Sequence, residues 1–242
     1  MLGQAHDTPF GDVRSRHVGK PTGTRKVVTG RRDIITGEYP SGKPAMGYRM
    51  VAYEGLLSRD FIVLVENDPR VVSYQEEPDA FPWFDGECWH SYTPDFAVTL
   101  DDGRRICVEI KPFRRLAKLP RGFRRGVEAG AIDQGYDAFE IWTDREIGGL
   151  ALANASLVAS ERTFIVDEAE LHRMRVTVDA LGGRSTIRDL RIRSGLGTRA
   201  FRAAIALVAR RELVAEDDTR ALDDLAVLHM PSEASDREGG RR

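Results

Sequence analysis

Between Ser91 and Lys111 the chain carries a pattern that permits few folds. Ser91 to Leu100 is rich in Tyr, Thr, Phe and Val, and Arg104 to Lys111 is a second run of strand-forming residues. Asp101-Asp102-Gly103 between them turns a hairpin. Strand side chains alternate between faces, which puts Cys107, Glu109 and Lys111 on one side and Ile106, Val108 and Ile110 on the other. With a three-residue loop ending on a left-handed Gly103, Leu100 pairs with Arg104 and Asp95 falls opposite Glu109. Their β-carbons are then expected roughly 5 Å apart. Two like charges opposed on a sheet repel each other unless a positive group intervenes. Two carboxylates beside the Lys111 ammonium form a seat for a hard divalent ion such as Mg2+, with the Ile110 carbonyl as a further oxygen. An exposed salt-bridge ladder is the plainer reading of Glu109-x-Lys111. The apolar and aromatic neighbours of Asp95 and Lys111 argue that the strands are buried.

Pro94-Asp95 followed by Glu109-Ile110-Lys111 on paired strands is similar to the PD-(D/E)XK nuclease core. Tyr92-Thr93-Pro94-Asp95-Phe96, the Tyr53-Glu54 pair and the Val71 to Pro78 segment together resemble the TnsA-type transposon endonucleases, over about Val27 to Asp144. Thr36 to Lys43 is similar to the segment that precedes the first helix of that family. The resemblance implies a restriction-endonuclease-like α/β fold, a mixed sheet flanked by helices. It implies Glu54, Asp95, Glu109 and Lys111 as catalytic residues and Asp95, Glu109 and Ile110 as ligands of Mg2+, for which Mn2+ substitutes. It further implies cleavage of the 5′ ends of a transposon in double-stranded DNA, alongside a TnsB-like DDE transposase and a TnsC-like ATPase. A phage or defence endonuclease acting alone, and a non-catalytic DNA-binding or adaptor protein that keeps the fold, are the alternatives.

The chain has 242 residues, 36 Lys plus Arg against 38 Asp plus Glu, and two cysteines. Its length suits one large domain or two small ones. The balanced charge means that any nucleic-acid surface must be local. Cys88 and Cys107, without a signal peptide or long apolar run, suggest a reduced cytoplasmic protein with core thiols. Neither a membrane protein nor a structural zinc site fits.

Residues 1–45 are rich in Gly, Pro and basic residues, including Arg14, Arg16, Lys20, Arg25, Lys26, Arg31 and Arg32. They read as a flexible basic arm, either lying along phosphates or solvated. A nuclease domain is expected over 46–166. Its first helix is predicted from about Tyr48 to Glu66, with Val51, Glu54, Leu57, Phe61, Leu64 and Val65 near one stripe. Glu54 either snorkels out beside Arg59 or faces the metal site. Pro69 stops that helix, and Val71 to Gln75 forms a strand. The aromatics of Phe81-Pro82-Trp83-Phe84 are assigned to the core rather than to a base-stacking platform. Lys111 to Arg125 carries Arg114, Arg115, Lys118, Arg121, Arg124 and Arg125 and no acid. Placed beside the carboxylates, this run offsets their repulsion of DNA phosphates; its alternative is a solvated helix face. Arg124 to Tyr136 and Phe139 to Thr143 supply a crossover helix and a buried strand.

Two helices are expected over Gly148 to Ala159 and Asp167 to Leu181. Residues 167–230 suggest a small winged-helix-like domain: a helix capped by Ser185, the Gly195-Leu196-Gly197 turn, and a helix over Thr198 to Glu212 carrying Arg199 and Arg202 towards DNA. Leu213 to Ala215 and Leu225 to Leu228 would form its hairpin. The acidic run Glu216-Asp217-Asp218 suits a DNA-contacting wing poorly and leaves a protein-binding role open. Residues 231–242 read as a disordered tail.

Overall fold

A computed structural model describes residues 20–23, 35–162 and 166–231. The chain divides into two compact units between Leu152 and Ala153. In the first, β1 (Thr36–Pro40) pairs antiparallel with β2 (Met50–Glu54), and α1 (Leu56–Asn67) follows. A four-stranded sheet has the order β3 (Val71–Glu76), β6 (Phe96–Leu100), β7 (Arg105–Ile110), β8 (Ala138–Trp142). Only the β7–β8 pair is parallel, joined through α2 (Phe123–Asp133). A separate hairpin, β4 (Phe81–Phe84) with β5 (Trp89–Tyr92), lies beside α2.

The alternation expected on β7 sorts its residues into two cores. Ile106, Val108 and Ile110 pack with Phe61, Ile62 and Val65 of α1 and with Tyr74, Phe96 and Val98. Cys107 packs with Phe123, Val127 and Ala131 of α2, with Phe139, and with Phe81, Trp83 and Tyr92 of the hairpin. Helices therefore cover both faces, the condition under which a sheet strand carries apolar residues on both sides. A mixed α/β architecture with a helix-flanked sheet is the outcome, as expected.

The mounting of α2 is unusually close. Gly122, Gly126 and Gly130 recur every fourth residue and so lie on one stripe. A β-carbon at Gly126 would stand 2.3 Å from the Phe84 carbonyl oxygen, and one at Gly130 2.6 Å from that of Pro82. The helix is thus laid directly on the backbone of β4.

Two expectations are corrected. The helix predicted from Tyr48 begins only at Leu56, and Glu54 closes strand β2 instead of riding on a helix. Gly55, with φ of +88°, breaks the chain between the two elements, and Met50 to Glu54 takes its hydrogen bonds from β1. That partner strand also shortens the loose arm: Thr36–Pro40 is a strand, and Ser41 and Lys43 are buried. Of Arg14, Arg16, Lys20, Arg25, Lys26, Arg31 and Arg32 only Lys20 is among the described residues. The strand expected from Ser91 to Leu100 is two strands, divided at Thr93-Pro94-Asp95, with β5 belonging to the outer hairpin.

The second unit contains the remainder of α3 (Gly149–Arg162), then α4 (Glu168–Ala180), β9 (Arg184–Thr186), α5 (Ile187–Ser194), α6 (Arg199–Ala209), β10 (Val214–Ala215) and β11 (Val227–His229). The strands form an antiparallel sheet of order β10, β11, β9. Leu171, Met174, Ile187, Leu190, Ile205, Leu207 and Leu228 form the core, with the alanines of α6 allowing close helix approach. Thr186, not Ser185, caps α5, its hydroxyl accepting from the Asp189 N–H, while Ser185 lies in β9. The tail beyond 231 lies outside the described residues. Among the described residues no helix is long and apolar enough to cross a membrane.

Gly126→Ala tests the α2 mounting. In an isolated helix this change stabilises by about 1 kcal/mol. Here it should destabilise by about 1–3 kcal/mol, because the backbone of β4 blocks the new methyl; a shift of the urea midpoint to lower concentration is the expected result.

Candidate active site

The turn carries the expected geometry. Leu100 N–H donates to the Arg104 carbonyl at 2.9 Å, Gly103 N–H donates to the Leu100 carbonyl at 3.1 Å, and Gly103 has φ of +86°. Phe96 pairs with Val108 and Val98 with Ile106, so continuing the register by one residue sets Asp95 against Glu109. Asp95 lies just beyond β6, where Pro94 has no N–H to continue the ladder. Its carbonyl accepts from Glu77 N–H at 2.9 Å, and its Oδ2 accepts from Ile110 N–H at 2.6 Å. Glu109 is 5% exposed. The Tyr92 hydroxyl donates to its Oε2 at 2.8 Å, and the Lys111 ammonium is 2.5 Å from its Oε1. Asp95, Glu109 and Lys111 therefore converge, with Lys111 about one-third exposed.

Burial first, and then the negative charge of Glu109, holds the Asp95 carboxyl well above the usual carboxylate range. The same neighbourhood acts on its other members. Burial and the Glu109 charge push the Tyr92 phenol far up, and burial with Glu109 and Asp95 pushes the Cys107 thiol up to about 12. This is a place of concentrated negative potential that a cation would relieve.

A cavity of about 520 Å³ opens over Asp95, with Glu54, Glu76, Glu77, Ile110, Lys111 and Arg115 on its walls. Glu54 shares it from the end of β2. Glu76 is committed elsewhere: Arg49 Nη1 donates to its Oε1 at 2.8 Å and Nη2 to its Oε2 at 2.6 Å, in a buried bidentate pair. Among the described residues no group of three or more His, Cys, Asp or Glu side chains is arranged to hold a metal ion. Asp95 and Glu109 are two such groups, and Glu54 does not complete a third with them. Two apposed carboxylates are nevertheless a hard-oxygen donor set of the kind Mg2+ takes, since Mg2+ keeps several waters and needs only one or two protein acids. The Ile110 carbonyl points to the same side of the strand as its N–H, towards Asp95. The residues present fit a divalent ion held by Asp95, Glu109 and the Ile110 carbonyl.

The basic run does not form one continuous helix. Phe113–Lys118 is a 3₁₀ turn and Arg124 and Arg125 open α2. Phe113 N–H donates to Asp144 Oδ1 at 2.5 Å, and the Arg145 guanidinium lies 3.2 Å from the centroid of the Phe113 ring, which anchors the turn to the end of β8. Arg114, Arg115, Lys118, Arg121, Arg124 and Arg125 are all exposed, and none of them makes a side-chain hydrogen bond or ion pair among the described residues. Arg115 reaches the cavity itself.

Arg199 and Arg202, the C-terminal pair expected at DNA, are placed differently. Arg199 pairs with Glu170, and Arg202 Nε lies 3.2 Å from both carboxylate oxygens of Glu161. Arg210 pairs with Glu168, and Arg175 bridges Glu168 and Glu212. The motif around Tyr92 marks the residue but not its hydrogen bond to Glu109. Local pattern gave no way to separate its phenol from the neighbouring core rings.

Because folding raises the Asp95 pKa, the native state keeps a proton that the unfolded chain releases above about pH 4. Stability is therefore drained as pH climbs from there towards neutrality. Asp95→Asn, which removes the charge and can still accept from Ile110 N–H, should be about 1–2 kcal/mol more stable than wild type at pH 8 without divalent ions. The difference should vanish near pH 4, as read from urea midpoints across the range. No known family model matches the chain, and no curated protein matches it.

Proposed function

We propose that the chain is a metal-dependent DNA endonuclease, the TnsA-like subunit that cuts 5′ transposon ends within a heteromeric transposase. The observation that carries this reading is the apposition of Asp95 and Glu109 beside Lys111, at a cavity that Asp95, Lys111 and Arg115 line. A sheet that only scaffolds has no use for two mutually repelling acids in a buried place. Asp95 and Glu109, with the Ile110 carbonyl, hold Mg2+ or Mn2+. A divalent ion there supplies Lewis acidity to the scissile phosphate and lowers the pKa of a water. Tyr92 fixes the rotamer of Glu109. Lys111 positions the water and stabilises charge on the phosphoryl oxygens. Glu54, on the cavity wall, orients further water. Arg114, Arg115 and Lys118 hold the DNA backbone next to the carboxylates.

The second unit follows the element order of a winged helix: α4, β9, α5, α6, then the β10–β11 hairpin. We read it as such a module. The pairing of Arg199, Arg202 and Arg210 with glutamates of the same unit favours a protein-facing role, matching a TnsC-like ATPase partner, over major-groove contact by α6.

Plasmid cleavage in Mg2+ or Mn2+, with the candidate transposase and ATPase partners added, tests the nuclease. Asp95→Ala and Lys111→Ala should each lower cleavage at least about a hundredfold, and the chain alone should be nearly silent. Equal cleavage by wild type and Asp95→Ala would remove the active site from this place. Vigorous cutting of short sites by the chain alone would favour a solitary restriction-type enzyme instead.

A further inference from the structure

The β4–β5 hairpin has an aromatic face that the core does not use. Phe81 and Trp83 point inward and are buried, but Phe84, assigned with them to the core, is exposed. Strand alternation turns Phe84 and Trp89 the other way. They are cross-strand partners, their ring centroids 5.3 Å apart, and they stay 42% and 70% exposed. Together with α2 they bound a second cavity of about 460 Å³, a volume in the range of small-molecule sites. Arg121 and Arg125 stand on its helix side. Both are exposed and without an ion pair among the described residues.

We infer that this groove binds one unpaired nucleotide of a DNA strand, its base stacked on Trp89 and Phe84 and its phosphate held by Arg121 and Arg125. A base inside a duplex has both faces stacked on its neighbours, so the ligand is an unpaired nucleotide at an end, overhang or melted step. Two acids also line the groove, each with its own place. Asp85 is used inside the hairpin loop, accepting from Glu87 N–H and Cys88 N–H at 2.7 Å each and bonding His90 Nε2 at 2.7 Å. Asp133 closes α2, eight residues and so about 12 Å along the helix from Arg125. A phosphate at the Arg121 and Arg125 end meets two exposed arginines that make no ion pair among the described residues, and that end continues the basic run. The close mounting of α2 on β4 holds the two walls at fixed spacing. A peptide could also use Trp89, but the unpaired arginines favour a polyanion.

The inference rests on the proposed action on DNA for the class of ligand, and not on cleavage. Binding is therefore measured on the full chain in EDTA, by anisotropy of a labelled oligothymidylate and of a blunt duplex annealed from two complementary strands. Trp89→Ala should weaken the oligothymidylate about tenfold and leave the blunt duplex unchanged, while Trp89→Phe keeps near wild-type affinity. Arg121→Ala with Arg125→Ala should lower the salt dependence of oligothymidylate binding by about one to two charges. Unchanged oligothymidylate binding by Trp89→Ala would overturn the inference, as would an equal loss on both ligands. Unchanged binding of both with a shift in sedimentation would assign Trp89 to a protein contact and overturn it too. If Trp89 governs oligothymidylate binding but the chain never cuts, this site stands and the nuclease reading falls. If the chain cuts and Trp89 is silent, the reverse holds.

Discussion

Two carboxyl groups held against each other inside a sheet are the costly feature around which the first unit is built. Asp95 and Glu109 meet because β6 and β7 pair through a tight turn at Gly103, with Glu109 buried and Asp95 at the wall of the cavity. The surrounding structure compensates in particular ways. Tyr92 and Lys111 each take one oxygen of Glu109, and the Ile110 amide takes one of Asp95. α1 and α2 close the two faces of the sheet and hold the strands in register. Even so, the Asp95 carboxyl is pushed towards its protonated form. An arrangement that still strains after this much hydrogen bonding is suited to receiving positive charge.

Basic residues are deployed differently in two places, the segment after β7 and the helix α6. In the first, six consecutive basic side chains from Arg114 to Arg125 are exposed and unpaired among the described residues, on a segment tied down by Asp144 and Arg145. In the second, the arginines of α6 are matched to glutamates on α3 and α4. The near-neutral composition of the whole chain conceals this contrast. Unpaired cations on an anchored segment are available to a polyanion; cations already paired must break those contacts to reach one.

Much of the first unit was legible in the sequence, and the limits have physical causes. The β6–β7 register could be read because the turn is local and the period of two assigns each side chain to a face. The helix from Leu56 was legible from its stripe, but its start was not. Met50 to Glu54 carries apolar residues compatible with either element, and the decision came from Thr36–Pro40, a partner strand in a Gly- and Pro-rich stretch with no visible periodicity. Glu54 was expected to face the site from a helix, and it lines the cavity from a strand end instead. Alternation could divide Phe84 from Trp83 but not say which face the core would cover. The pairing of Arg202 with Glu161 spans 41 residues and has no local signature.

The central claim is that Asp95 and Glu109 together seat one divalent ion. Calorimetric titration of the full chain with Mn2+ at neutral pH tests it most directly, comparing wild type with Asp95→Asn and Glu109→Gln. The account expects one saturable site in wild type, with proton release as Asp95 ionises, and loss of that site in both variants. Binding of Mn2+ that is unaffected by either substitution, or none by the folded wild type at millimolar concentration, would contradict it.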